Sequence, residues 1–498
     1  MDAQDAPIDS QRRGSVSFAL EGTEGASVIR PSHARRVVLL VATILGASAF
    51  ATAAAPAEAL TVTPFSRPLI VPKVLTGSNI TLTARLADVQ ILPGAKTRMW
   101  TYNGTFPGPT IRRPTGQTTH VTLVNDLPAE AGELTLHNHG NHSTPENDGQ
   151  PDDRLAATGG GKVTYTYTGT ENGGNERGAT QWYHDHRMDV TGRNVWMGLA
   201  GMYIIDDAAD PQTLPKGSFD VPLMLTDRSF DANNQLSYRP SGNVGLTGNR
   251  ILVNGVPQPY FVVGDRKYRL RILNASNSRS YDLALSNGQA FIQIGTESGL
   301  LPAPVKRTRI SIAPAERVDV VIDFAKKLGQ KIVLQNLAAD GSLRQLMQFR
   351  VTRDLTDNSS VPTKLRALPK LDATSAVTRT FVLSRSRLTG QWLINGLTFD
   401  PNRIDAQPKL GTTETWILKN GSSSNHVIHL HDVDQQLVSR NGVAAKPWER
   451  MKESWNLGIG ETIVLKVKFT DNLGKFVFHC HILEHEDDAM MAQMEVVP

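Results

Sequence analysis

The chain reads as an all-β protein built from three consecutive units. Strand-like alternation dominates, as at 119–124 (THVTLV), 267–273 (KYRLRIL) and 462–467 (TIVLKV). The runs are bounded by Gly, Pro and Asn turn signals, including Asn-Gly at 103, 254, 395 and 420, while long amphipathic helical patterns are scarce. An internal repeat sets the count: 116–140, 264–295 and 411–431 each run strand, Asn-rich turn, second apolar strand.

With 498 residues and 40% hydrophobic content, the chain is too long for one core. Residues 1–59 form a leader: Arg35 and Arg36 precede an apolar run at 37–50, too short to span a bilayer, and Ala-rich sequence offers cleavage near Ala55 or Ala59. Export follows, by the general route or, given the arginine pair, the twin-arginine one. The first unit takes 60–207, the second 214–355 and the third 375–498, with 354–370, rich in Pro, Ser and Asp, as the last linker. The outer units also match at their ends. Trp182-Tyr183-His184-Asp185-His186 aligns with Val477-Phe478-His479-Cys480-His481, so that Asp185 stands where Cys480 stands.

Cys480 is the only cysteine, so it makes no intrachain disulfide. Between two histidines, with His485 and Met490 following, it suits a thiolate ligand for a soft, redox-active metal, copper above all. The preceding residues read as a strand, in which successive side chains face opposite ways. His479 and His481 therefore share one face and Cys480 takes the other, where joining His485 and Met490 would give the set of a blue copper centre. One strand would wire two sites together.

The other histidines fit this. Of thirteen, ten lie in four tight groups: His137 and His139; His184 and His186; His426, His429 and His431; and His479, His481 and His485. His33, His120 and His142 are read as bystanders, with a supporting place near the first pair the other reading of His142.

The four groups, in this order, resemble the four copper motifs of the multicopper oxidases, and the resemblance covers nearly all of the chain after the leader. It lies nearest the bacterial spore-coat laccases, bilirubin oxidase and phenoxazinone synthase, which the segments at 177–179, 251–255 and 313–317 also resemble. The resemblance implies three cupredoxin-like Greek-key β-barrels, the middle one without ligands and acting as a spacer. It implies four coppers: type 1 on His426, Cys480, His485 and Met490; type 2 on His137 and His429; and a type 3 pair on His139, His184 and His481 and on His186, His431 and His479. Glu486 and Asp148 match acidic positions that the subgroup uses near the cluster, against bland readings as a helix cap and a turn residue. Asp487 and Asp488 read as solvent-facing neighbours, and Met491 and Met494 as core.

The implied activity is oxidation of phenols or aromatic amines, one electron at a time through the edge of His485 or His426, coupled to reduction of dioxygen to water. The partners are thus a small aromatic reductant and dioxygen, acting on a monomer. Rival readings are a coupling oxidase of biosynthesis, a bilirubin oxidase, a cuprous or manganous ion oxidase, and a copper-free scaffold. The eleven methionines form no methionine-rich insert, and Ser423-Ser424-Asn425 precede His426 where bilirubin oxidases tend to place a tryptophan. A formal charge of +4 without a basic block points to no nucleic acid, and no basic amphipathic helix points to a membrane surface.

Overall fold

The computed structural model describes residues 62–371 and 376–498; the leader lies outside them. Within these residues the chain is almost entirely β, with two short helices, Thr191–Met197 and Leu483–Asp487, and none long and apolar enough to cross a membrane. Sheets of five and four strands form between residues 74 and 206, of seven and five between 220 and 353, and of six and four between 378 and 496. Each pair closes over its own core, centred on Leu82, Val121 and Tyr165 in the first, Leu270, Leu334 and Phe349 in the second, and Trp416, Leu465 and Phe478 in the third.

The repeat has a physical basis. In each unit a parallel strand pair recurs: Asn79–Val89 beside Thr119–Asp126, Asp220–Arg228 beside Lys267–Asn274, and Thr378–Arg385 beside Thr412–Asn420. At the end of each second strand an asparagine, Asn125, Asn274 or Asn420, accepts the N–H two residues on and donates its amide to the backbone across the turn. This is an Asx turn made three times. Three of the Asn-Gly pairs, at 103, 254 and 395, are tight turns with both residues at positive φ, the geometry that favours these two residue types. Each of these asparagines also bonds a neighbouring strand through both amide atoms. The fourth pair departs from the expectation of a hairpin signal: Asn420 and Gly421 keep negative φ, because Asn420 serves the Asx turn instead.

The first and second units pack through Trp182, Met202, Met224 and Leu273. Polar groups tie the first to the third: Asn172 donates to Asp434 at 2.8 Å, Lys468 donates to Asn172 at 2.6 Å, and His142 Nδ1 meets Asp471 Oδ2 at 2.7 Å. Burial opposes charge on both members of the last pair, yet their contact, with Asp434 and Glu171 also facing the imidazole, raises His142 well above the ordinary value and lowers Asp471. The raised histidine stabilises below its unfolded pKa and loses that share as pH rises through its folded value. The lowered aspartate stabilises above its unfolded pKa and loses its share as pH falls. The clamp is thus strongest between about pH 4 and 6.5. We expect His142→Leu to cost about 3 kcal/mol at pH 6, with a melting deficit that shrinks in alkaline solution; a deficit independent of pH would show that packing, not charge, is lost.

Candidate metal centre

Two pairs of strands present the histidines, and they are copies of one arrangement. His137–His139 pairs with Thr180–His184 so that His137 faces His184. His426–Leu430 pairs with Gly474–Cys480 so that His429 faces His479. The strands bring eight buried histidines together: His137, His139, His184 and His186 from the first unit, and His429, His431, His479 and His481 from the third. Trp182 stacks on both His139 and His184, closing one side at ring separations of 4.7 and 4.5 Å.

The tautomers decide what this cluster can hold. His137 Nδ1 faces the Asp148 carbonyl at 2.7 Å and His429 Nδ1 the Glu453 carbonyl at 3.2 Å, while their Nε2 atoms lie 3.3 Å apart. His139 Nδ1 is on Glu453 Oε1 at 3.0 Å and His184 Nδ1 on its neighbour's carbonyl at 2.7 Å, with Nε2 atoms 3.0 Å apart; His481 Nε2 sits 3.1 Å from that of His139. His431 Nδ1 is on Asp148 Oδ2 at 2.7 Å and His479 Nδ1 on Glu486 Oε2 at 3.1 Å, with Nε2 atoms 3.3 Å apart. An imidazole that donates from Nδ1 carries only a lone pair on Nε2. In each of these pairs lone pair faces lone pair at contact distance, which is repulsive unless a cation lies between. Nitrogens about 2.0 Å from a metal ion stand at just such separations.

Protonation agrees. Burial first, then repulsion among the imidazoles, pushes His139, His184, His429 and His431 well below the ordinary value, and burial lowers His481 to about 3. Neutral imidazoles are the ligating form. At His137 burial lowers the value, but the charge and hydrogen bonds of Asp148 outweigh it.

Cys480 projects to the other face, as strand alternation requires. Its Sγ lies 3.5 Å from His426 Nδ1 and 3.6 Å from His485 Nδ1, and these nitrogens are 3.2 Å apart. Burial pushes the thiol up to about 12 and the two imidazoles down to about 4 and 2. The sulfur is therefore a neutral thiol until a metal ion displaces its proton. Met490 is fully buried in the same core, and its carbonyl accepts the Cys480 N–H at 3.0 Å. Met491 and Met494 lie in the strand Met491–Val496 and are buried, as read from sequence. In the first unit Asp185, at the position of Cys480, accepts from Thr135, Arg187 and Asn194 and has no ligand function to fill.

Both acids singled out in the sequence meet the cluster. Glu486 lies in the helix Leu483–Asp487, and its carboxylate reaches His186 Nδ1 at 2.9 Å and His479 Nδ1 at 3.1 Å. Burial alone would raise its pKa, but these two imidazoles hold it well below the carboxylate range. Asp148 follows the turn Pro145–Asn147, and it also meets His431 through its carboxylate and His137 through its carbonyl. Asp487 and Asp488 differ from expectation. They are half-buried, because Thr191–Met197 packs on this helix: Asp487 accepts the Gly192 N–H at 3.0 Å, and Asp488 accepts from Trp392 and Asn243.

Sequence reasoning missed four contributors. Glu453 orients His139 through its side chain and His429 through its backbone. It is in turn held by the buried Arg317, while Glu297 accepts the N–H groups of Glu453 and Ser454 at 2.9 and 2.8 Å. Arg317 and Glu297 belong to the middle unit, which is thus more than a spacer: it fixes the acceptor on which two cluster histidines rest. Trp392 is the fourth, stacked on His485 at 4.4 Å and 28°. It also bears on the expected electron entry, since His426 and His485 are both buried and neither lines the cavity of about 550 Å³ bordered by Asn243, Arg385 and Asp488. His142 stays outside the ligand set, bound to Asp471. It lines, with His137, His429 and His431, a chamber of about 30 Å³, large enough to admit water.

Known proteins share these features. Family models described as multicopper oxidase match residues 363–498 and 83–210. The laccase of Bacillus subtilis (strain 168) is 35% identical over 80% of this chain and 90% of its own length, and the bilirubin oxidase of Albifimbria verrucaria 36% identical over 78% and 71%. The crystal structure of a multi-copper oxidase from Pediococcus acidilactici superposes with a TM-score of 0.79 at 36% identity, covering 88% of this chain and 93% of that one. With its histidines poised to surround metal ions and this likeness along most of its length, the chain belongs to the multicopper oxidases.

Proposed function

We propose that this protein is a laccase-like oxidase that couples one-electron oxidation of phenolic or aromatic-amine reductants to the four-electron reduction of dioxygen to water. One observation carries the reading: Cys480 belongs to one ligand group while His479 and His481, covalently next to it, belong to the other. In this reading His426, Cys480, His485 and Met490 hold the type 1 copper, and His137 and His429 the type 2. The type 3 pair rests on His139, His184 and His481 and on His186, His431 and His479, four coppers in all. Bound copper supplies the one-electron steps and the dioxygen chemistry. The chain supplies the rest: acceptors that orient most of the imidazoles, a Trp182 wall on one side, and carboxyl groups, Glu486 and Asp148, that hold protons beside the cluster. Copper content and oxygen uptake with 2,6-dimethoxyphenol test the reading; four coppers per chain without uptake would sink it.

The three β-barrel units at 60–207, 214–355 and 375–498 are part of this proposal, supported by sheets whose strands pair within each range. A monomer is sufficient, because all eight cluster histidines come from one chain. The leader supports export, and N-terminal sequencing of the mature protein would separate cleavage near Ala55 from cleavage near Ala59 or none. An axial methionine lowers the type 1 potential relative to leucine. Met490→Leu is expected to raise it by on the order of 100 mV, about fifty-fold in a one-electron equilibrium; an unchanged value in a redox titration would remove Met490 from the ligand set.

A further inference from the structure

A cavity of about 550 Å³ opens where all three units meet. Asp189 and Arg193 reach it from the first, Tyr238 and Asn243 from the second, and Arg385 and Asp488 from the third. Two of the most exposed apolar side chains flank its lining residues in sequence: Leu388, 99% exposed, beside Thr389 and Val244, 55% exposed, beside Asn243. A cavity lined by a phenol, an amide, carboxylates and guanidinium groups, with exposed apolar side chains next to it in sequence, suits an aromatic molecule bearing N–H or O–H groups.

Neither imidazole of the Cys480 site lines this cavity, and both are buried. Between cavity and site lies Trp392, itself 1% exposed. Three groups that line the cavity hold it: the Asn243 carbonyl accepts its indole N–H at 2.6 Å, Asp488 accepts its backbone N–H at 3.3 Å, and the Arg385 guanidinium lies 4.7 Å from the ring centroid. Its ring stacks on His485 at 4.4 Å and meets His426 edge-on at 5.0 Å. The indole thus touches both the lining of the cavity and the two imidazoles.

We propose that Trp392 is the electron bridge of this protein, carrying each electron from an aromatic reductant in the three-unit cavity to His485. The proposal rests on the oxidase reading above. The reductant gives up one electron and leaves as its radical, its N–H or O–H proton passing to water or to a cavity carboxylate. An oxidised copper ion held by His426, Cys480 and His485 would be the acceptor of that electron. The indole itself is not oxidised, because the Arg385 cation over its face disfavours a positive charge there. It acts as a conducting contact that fills the gap between reductant and His485.

The test compares wild type, Trp392→Phe and Trp392→Leu, each loaded with copper. Anaerobic reduction by N,N-dimethyl-p-phenylenediamine is followed as loss of the blue absorption, and the type 1 potential is measured separately. Since misplacement by about 1 Å can cost on the order of 10²-fold, reduction should slow by between about ten- and a hundredfold in the leucine variant, with absorption and potential unchanged. The phenylalanine variant, which keeps a ring against His485, should recover most of the rate. In copper-free protein the amine should quench tryptophan fluorescence saturably, with the same half-saturation but a smaller amplitude in both variants. Equal rates in the two variants, a leucine variant as fast as wild type, or a slowing matched by a shifted potential would each overturn the bridge. A copper-loaded wild type reduced by neither this amine nor 2,6-dimethoxyphenol would instead overturn the oxidase reading.

Discussion

Cys480→Ser should give a colourless protein that no longer oxidises phenols or aromatic amines, while keeping most of its remaining copper. The serine oxygen is hard, shorter-reaching and held as a neutral hydroxyl, so the soft, charge-donating ligand is lost and the blue absorption with it. His426 and His485 remain 3.2 Å apart without their third partner. The larger cluster has no stake in the sulfur: its histidines lean on Asp148, Glu453, Glu486 and backbone carbonyls, and the contact with Cys480 among these, from His479 Nδ1 at 3.3 Å, is to the carbonyl and not to Sγ. The strand keeps its register through backbone bonds, with Ile428 opposite residue 480. Electron paramagnetic resonance should retain the type 2 signal and lose the type 1 signal. Loss of both would show that the two sites assemble as one.

Glu486→Gln should slow dioxygen reduction by about ten- to a hundredfold while sparing the blue colour and reduction of the type 1 site. The carboxylate meets Nδ1 of His186 at 2.9 Å and Nδ1 of His479 at 3.1 Å with different oxygens. A glutamine amide has one acceptor oxygen and one donor nitrogen, so only one of these imidazoles can keep its proton on Nδ1. The other must turn or shift its proton to Nε2, where it ceases to be a ligand. The negative charge that offsets bound cations is lost as well. Single-turnover reoxidation of fully reduced enzyme separates this from any effect on reductant; wild-type reoxidation would remove Glu486 from the oxygen half of the cycle.

Much of this was legible in the sequence, for physical reasons. Strand alternation has a fixed period of two, so three letters, His479, Cys480 and His481, were enough to assign faces, and the structure sends them there. The three-unit count came from turns that the chain makes in the same way each time, with asparagines whose side chains bond the backbone wherever they occur. The resemblance supplied the pairing of motifs far apart in the chain, which spacing alone does not give. Glu453, Arg317 and Glu297 escaped because an outer acceptor has no motif: it may come from any element that packs near, and here the elements lie in two different units. Arg317 was in view as part of the segment at 313–317, but nothing local shows that its side chain crosses to the third unit. Trp392 was invisible for the same reason, since stacking on His485 depends on where the hairpin at 378–394 folds back. The fate of Asp487 and Asp488 followed from a helix pair, Thr191–Met197 against Leu483–Asp487, too short to announce itself in hydrophobic periodicity.

The division of the eight histidines between the two ends of the chain has a bearing on biosynthesis. In the proposed assignment, a ribosome-bound chain that has made His137, His139, His184 and His186 owns four of the eight cluster ligands, part of every position and no complete one. It gains the rest only when the strand Gly474–Cys480 and His481 have docked against it. Oxygen chemistry is thereby withheld from nascent, truncated or half-folded molecules, and activity itself certifies that the whole fold has closed.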